Sequence, residues 1–270
     1  MDVTDQPFFF GPADRQLFGC YHPPTGALDR NLGVVVCNPL GHEAIRAHRA
    51  LRQLALRLAR AGFAVLRFDY YATGDSAGDD EQGGVARWLG DIGAAVDRLK
   101  RESGVPRTAL AGLRLGAALA ALYGAAHREV VGLALWEPVV SGRQHLEELA
   151  ALHTEMLWRF ARPPAETAPL AVAEGPDELL GFSMTAAMRA ELAALDLLAL
   201  TAPPARMVLI VNRQAEPEAA RLQARLAAVG TRVQHQIVAG PTIWKEDVDK
   251  ALVPHATLDS LVAGLAEAAA

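Results

Sequence analysis

Apolar and polar residues alternate along this chain in two rhythms. Short apolar runs of strand character recur at "LGVVVCNP" (32–39), "FAVLRFDY" (63–70), "TALAGL" (108–113), "VVGLALWEP" (130–138), "ARMVLIVN" (205–212) and "TRVQHQIVAG" (231–240). Between them the apolar positions fall at helical spacing. Leu51, Leu54, Ala55 and Leu58 form one stripe, closed by Gly62, and Val85, Trp88, Leu89, Ile92, Val96 and Leu99 form another. Further helices are expected after Arg114, after Pro217 and from Ala256. Strands alternating with helices in this way predict an α/β fold, a mainly parallel doubly wound sheet covered on both faces. "FFFG" and "RQLFGCYH" ahead of the first buried run read as an opening hairpin.

Residues 139–200 break the rhythm. They carry two long helical patterns and a Pro-rich link, "RPPAETAP", with no convincing strand. An excursion between two consecutive strands of a doubly wound sheet is expected to form a helical cap over the strand C-termini, leaving 1–138 and 201–270 as the core. Its residues Met156, Trp158, Phe160, Phe182, Met184 and Met188 either line an apolar pocket or pack the cap onto the body.

Composition narrows the class further. Of 270 residues 51% are hydrophobic and 21% charged, with a net charge of −5. That balance gives no electrostatic reason to expect nucleic acid or an anionic membrane as partner. No run approaches the roughly 18 apolar residues of a membrane span, and "MDVTDQPFFFGPADRQ" lacks the basic start of a secretion signal. A cytoplasmic location is therefore expected. Cys20 and Cys37 are too few for a disulfide framework or a zinc cluster, and neither a metal nor a cofactor is expected.

Ligands of open α/β sheets bind outside the C-terminal ends of the strands. Those ends carry "NPLGHE" (38–43), a loop with Asp69, Asp75 and Ser76, then "GLRLG" (112–116), Glu137, "NRQAEPE" with Glu216, and "PTIWKEDVDKALVPHA" with Trp244 and His255. "GLRLG" has the strand–turn–helix setting in which a nucleophilic serine is displayed as G-x-S-x-G, but its central residue is Arg114. A guanidinium keeps its proton and has no lone pair to offer, so it serves neither as nucleophile nor as base. It can hold an anion, or it can fold onto Glu137 and fill the site. "GDSAG" (74–78) satisfies the same pattern literally, yet lies in a polar loop past its strand, so Ser76 is expected to satisfy nearby backbone groups.

"CNPLGHEAIRAHRALRQLALRLARAGFAVLRFDYYATGDSAGD", "AGLRLGAALA" and "LWEPVVSGRQHLEEL" resemble the serine-aminopeptidase-like branch of the α/β-hydrolases, most closely the hydrolases associated with exosortase systems and biosynthetic genes. The resemblance implies an oxyanion-hole loop at Asn38 to Glu43, an elbow at Arg114, an acid near Glu216 and a general base at His255. Pro39 has no N–H, so the hole's donors would be Leu40 or Gly41 together with Leu115. His42 and Glu43 stand beside the hole, with helix capping as their other reading.

Two functions follow. In one, His255, oriented by Glu216, activates water or removes a substrate proton while Arg114 and the backbone hole stabilise the anion, on a small acyl, ester, thioester or carboxylate-bearing metabolite. In the other, an inactive hydrolase-like protein binds a ligand or partner protein through the capped pocket. A small molecule is the expected partner in the first case, with a carrier or biosynthetic enzyme alongside.

Overall fold

The computed structural model describes residues 5–25, 28–160, 177–245 and 252–269. Eight strands form one sheet: β1 (Gln6–Phe10), β2 (Leu17–His22), β3 (Leu32–Cys37), β4 (Ala64–Phe68), β5 (Arg107–Leu113), β6 (Val130–Trp136), β9 (Met207–Asn212) and β10 (Arg232–Ile237). Their order is β1-β2-β4-β3-β5-β6-β9-β10. β2 pairs antiparallel with both β1 and β4, and every other pairing is parallel. The mainly parallel sheet is the one the alternation predicted, and the fold is that of an α/β-hydrolase, as the resemblance implied.

Burial on both faces explains the unbroken apolar runs, since a parallel strand has no solvent side. Val34 and Val36 belong to one core layer with Leu51, Leu54 and Leu58 of α1 (His42–Arg60) and Leu258 and Leu261 of α7 (His255–Ala269). Val35 and Leu110 belong to the other, with Ile92 and Leu99 of α2 (Val85–Ser103) and the alanine-rich α3 (Leu115–Ala126). α6 (Pro217–Ala228) follows β9 and begins with the helix-compatible proline at its first turn.

Between β6 and β9 lie α4 (Gly142–Phe160), a two-residue hairpin of β7 (Glu178–Leu179) and β8 (Phe182–Ser183), and α5 (Ala186–Ala193). The sequence predicted two long helices and no strand here. Among the described residues one long helix is present and a second is eight residues long, and the "RPPAETAP" link lies outside them. A bridge between Ser141 and Asp196 closes the base of the excursion.

The chain runs from β3 outward to β4 and then back across to β5 on the other side of β3. That reversal opens a crevice at the C-terminal ends of β3 and β5. The loop from Asn38 to Gly41 and the turn at Arg114 stand at those two ends.

Candidate functional site

Arg114 joins β5 directly to α3 with φ 53° and ψ −120°. A non-glycine residue in this region is strained and persists only where its surroundings fix it. Here its N–H donates to the Trp136 carbonyl at 3.0 Å, and its own carbonyl accepts from Ala117 at 3.1 Å and Val139 at 3.3 Å. The flanking glycines are dictated by close approach. A Cβ at Gly116 would come 2.3 Å from the carbonyl oxygens of Cys37 and Asn38, and one at Gly112 would meet the Ala117 backbone at 2.6 Å. The sequence reading of a tight elbow holds, and its tightness presses the start of α3 against the end of β3.

The Arg114 side chain is sealed in. Nε donates to Glu43 Oε1 at 3.0 Å, and Nη2 donates to Glu148 Oε2 at 2.6 Å. The same Nη2 lies 3.4 Å from His145 Nδ1, and the guanidinium sits 5.6 Å from the centre of the buried Trp244 ring. Burial alone would pull its pKa down, but the two carboxylates more than offset that and raise it. Burial also raises the Glu43 carboxyl, with Arg114 only partly offsetting the effect, and it pushes His145 well below its ordinary value, with Arg114 adding to the shift. The cluster is thus an ion-paired arginine beside a neutral imidazole.

Glu137 is not the partner of Arg114. It sits behind the elbow with φ 44°, accepting from the Arg213 amide at 2.6 Å and from Asn212 Nδ2 at 3.2 Å. Those two donors occupy its oxygens and hold it on β9. Glu216 stands at the N-terminal cap position of α6 without a side-chain capping bond, half-buried, and shares a small cavity of about 40 Å³ with Arg114, Glu148 and His145.

His255 is the larger correction. It opens α7 on the outer face, exposed, with Nδ1 against the Arg57 guanidinium of α1. The reason is local packing: α7 lies alongside α1, and Arg57 also reaches Asp259 one turn further on. Neither Glu216 nor Arg114 is a neighbour of His255, so the expected Glu216–His255 pair is not formed.

The major cavity lies to the other side of the elbow and has a volume of about 860 Å³. Leu40, Gly41 and Leu115, the expected oxyanion donors, share its wall with His42 and His145. Burial first, then Arg46 and Arg114, lower His42 to about 4. Phe182, Met184 and Met188 line it, and Met184 and Met188 are also part of the buried core, so both readings of the excursion meet in them. Trp158 does not: it is 61% exposed. Met156 is half-buried on α4 away from the lining, Trp244 packs on Arg114 instead, and the Phe160 side chain lies outside the described residues. Ser76 Oγ donates to the Asp69 carbonyl at 2.6 Å and accepts from the Phe18 amide at 2.9 Å. Its hydroxyl is engaged as the sequence predicted.

Sequence reasoning passed over His145 and Glu148 and left Glu43 open between a residue beside the oxyanion hole and a helix cap. The signal was present in "GRQHLEEL", where histidine and glutamate stand three apart on one helix face just past a strand end.

By sequence, no curated protein matches this chain. Among solved structures, a Pyrococcus furiosus esterase superposes with a TM-score of 0.67 at 15% identity, over 99% of this chain and 92% of its own. Est1E from Butyrivibrio proteoclasticus, solved with ferulic acid bound, gives 0.66 at 18% identity over 96% and 99%. The proline iminopeptidase of Mycobacterium smegmatis gives 0.66 at 14% over 98% and 99%. Identities this low speak for the fold alone. The family profile described as "Serine aminopeptidase, S33" matches residues 34–227, more than half of the sequence. The chain belongs to the serine aminopeptidase (S33) family of α/β-hydrolases.

Proposed function

We propose that this protein binds a small acyl or carboxylate-bearing metabolite in its major cavity and does not form an acyl-enzyme. One observation carries the reading: the side chain at the elbow is an arginine closed by Glu43 and Glu148, in the place where the resemblance expects a serine. A guanidinium held between two carboxylates has no unpaired charge left to stabilise a developing oxyanion. The position of His255 on Arg57 supports the same reading, because a base on the outer face cannot reach the cavity. What remains is a volume within the range of small-molecule sites, walled by apolar side chains and a few polar groups.

The narrower kinship with exosortase-associated hydrolases, a cap role for 139–200, a cytoplasmic location and a carrier or biosynthetic enzyme as partner belong to the same proposal and rest on sequence. The test is a fluorophosphonate probe together with steady-state assays on p-nitrophenyl esters of increasing chain length. No labelling and no turnover above buffer are expected. Stoichiometric labelling at Ser76, or turnover that survives purification, sinks the reading.

A second reading retains catalysis without a serine. Its observation is His42, which lines the cavity beside Leu40, Gly41 and Leu115 and stays neutral down to about 4. There it would act as the base on a water molecule, in the role the sequence gave to His255. Turnover lost in His42→Ala and retained in His255→Ala would favour it over simple binding.

A further inference from the structure

The cavity has two unlike ends. Under α5 and β8 it is apolar, walled by Trp88, Met184, Met188 and Leu192. Its other end runs beneath α1 to the β2–β4 edge, where Cys20 and Arg67 are direct partners in register and Arg52 and Asp5 complete the wall. Arg67 interrupts an otherwise apolar buried strand.

How Arg67 is held decides what this end can take. Its Nε donates to His22 Nε2 at 3.1 Å, and its guanidinium also meets the Cys20 thiol. Among the described residues no carboxylate lies within salt-bridge distance of it. Asp5 is engaged by Arg52 Nε at 2.6 Å, and its Oδ1 lies 3.2 Å from His22 Nδ1. His22 is fully buried and remains neutral, lowered to about 4 by burial and then by Arg67. A half-buried guanidinium on a cavity wall thus has a neutral imidazole as its hydrogen-bond acceptor. Arg52 and Arg67 stand against Asp5 at this end, and Asp69, Asp75 and Asp80 line the cavity further along. Asp69 is bound to the Asp75 amide and to Asn38, and Asp75 and Asp80 are exposed on the loop and short turn beyond β4.

Asp5, Cys20 and His22 also present ligand atoms within 4.8 Å of one another. Metal binding there would require the lone pair of His22 Nδ1 and a proton on Nε2, which already receives the Arg67 hydrogen. It would also set a dication beside two guanidinium ions.

We propose that this cavity is a site for an amphiphilic monocarboxylate, with its head on Arg67 and its alkyl or aryl tail under Met184 and Met188. A guanidinium whose hydrogen-bond acceptor is a neutral imidazole can take an anionic head, and its planar fork suits a carboxylate. This deepens the binding reading above and rests on it.

The test is isothermal titration of the full chain with octanoate, octanol and octyl phosphate. Octanoate is expected to bind about tenfold or more tightly than octanol. Arg67→Gln should bring the two level while leaving octanol unchanged, and Arg52→Gln, at a more exposed guanidinium, should narrow the gap by less. Thermal melting of both variants checks that they fold, and Arg52→Gln keeps the test open if Arg67→Gln does not. Equal binding of octanoate and octanol by the native chain, or a gap untouched in Arg67→Gln, overturns the inference. Octyl phosphate binding more tightly than octanoate also overturns it. Ester turnover with the octanoate preference intact would instead defeat the non-catalytic reading and leave this one standing.

Discussion

Two arginines stand at opposite sides of the same strand ends, and their partners make them opposites. Arg114 at the elbow is clasped by Glu43 and Glu148. Arg67 at the β2–β4 edge gives its hydrogen bond to a neutral imidazole. A guanidinium between carboxylates is electrostatically closed, so its site is filled by the protein itself. One beside a neutral acceptor keeps its field for whatever enters next, and because it is only half-buried the cost of leaving its charge without a carboxylate stays limited. The residue that catches the eye in the sequence is therefore the sealed one, and the open one went unnoticed.

The largest expected effect comes from breaking the sealed pair. Arg114→Ser places a hydroxyl at the elbow but leaves Glu43, only 2% exposed, without its counter-charge. Removing one partner of a buried ion pair costs about 3–5 kcal/mol. Urea unfolding should show that loss, and Glu43→Gln combined with Arg114→Ser should recover most of it. The single variant should still escape fluorophosphonate labelling, because His255 remains on Arg57. A loss below about 1 kcal/mol would mean that Glu43 does not depend on Arg114.

The comparison also separates what the sequence could tell from what it could not. The strand ends and the elbow were legible because apolar periodicity fixes elements and the glycines of "GLRLG" fix a turn. The partners of Arg114 were not, because they meet only when the first turn of α1 and a face of α4 converge on one point. His255 was misplaced because its position in the chain order suggested a base, whereas the packing of α7 on α1 puts Arg57 first in its reach. Arg67 left a trace that was readable in principle. A parallel strand buried on both faces should be uniformly apolar, and "AVLRF" is not.

Removing the open arginine should cost far less than removing the sealed one. Arg67→Gln strands no carboxylate, since Asp5 keeps Arg52. The loss is that of a hydrogen bond, about 0.5–1.5 kcal/mol, and the same urea titration measures it. A loss as large as that of Arg114→Ser would erase the distinction between the two sites.

Smaller again is Glu148→Gln. The Glu148 side chain is 38% exposed, so water competes for it, and the pair is worth at most about 1 kcal/mol. Glu43→Gln should exceed it. If the two were equal, the clasp would be uniformly buried rather than closed by an inner carboxylate and trimmed by an outer one.

At neutral pH the smallest effect belongs to His22, and it grows only in acid. In the folded chain His22 is lowered to about 4, by burial first and then by Arg67, against an ordinary value of 6.5. Between those values the unfolded chain binds a proton that the folded chain refuses, so stability falls as pH falls through that window and is flat above it. His22→Gln keeps an acceptor for Arg67 Nε and has nothing to protonate. It should match the native chain near pH 7 and lose less stability between pH 6.5 and 4, read by urea midpoints across the series. In Arg67→Gln, where the neighbouring cation is gone and Asp5 remains, the His22 imidazole should titrate higher by NMR. An unmoved titration would mean that burial alone keeps His22 neutral, and that the charge of Arg67 is answered by something other than an incoming anion.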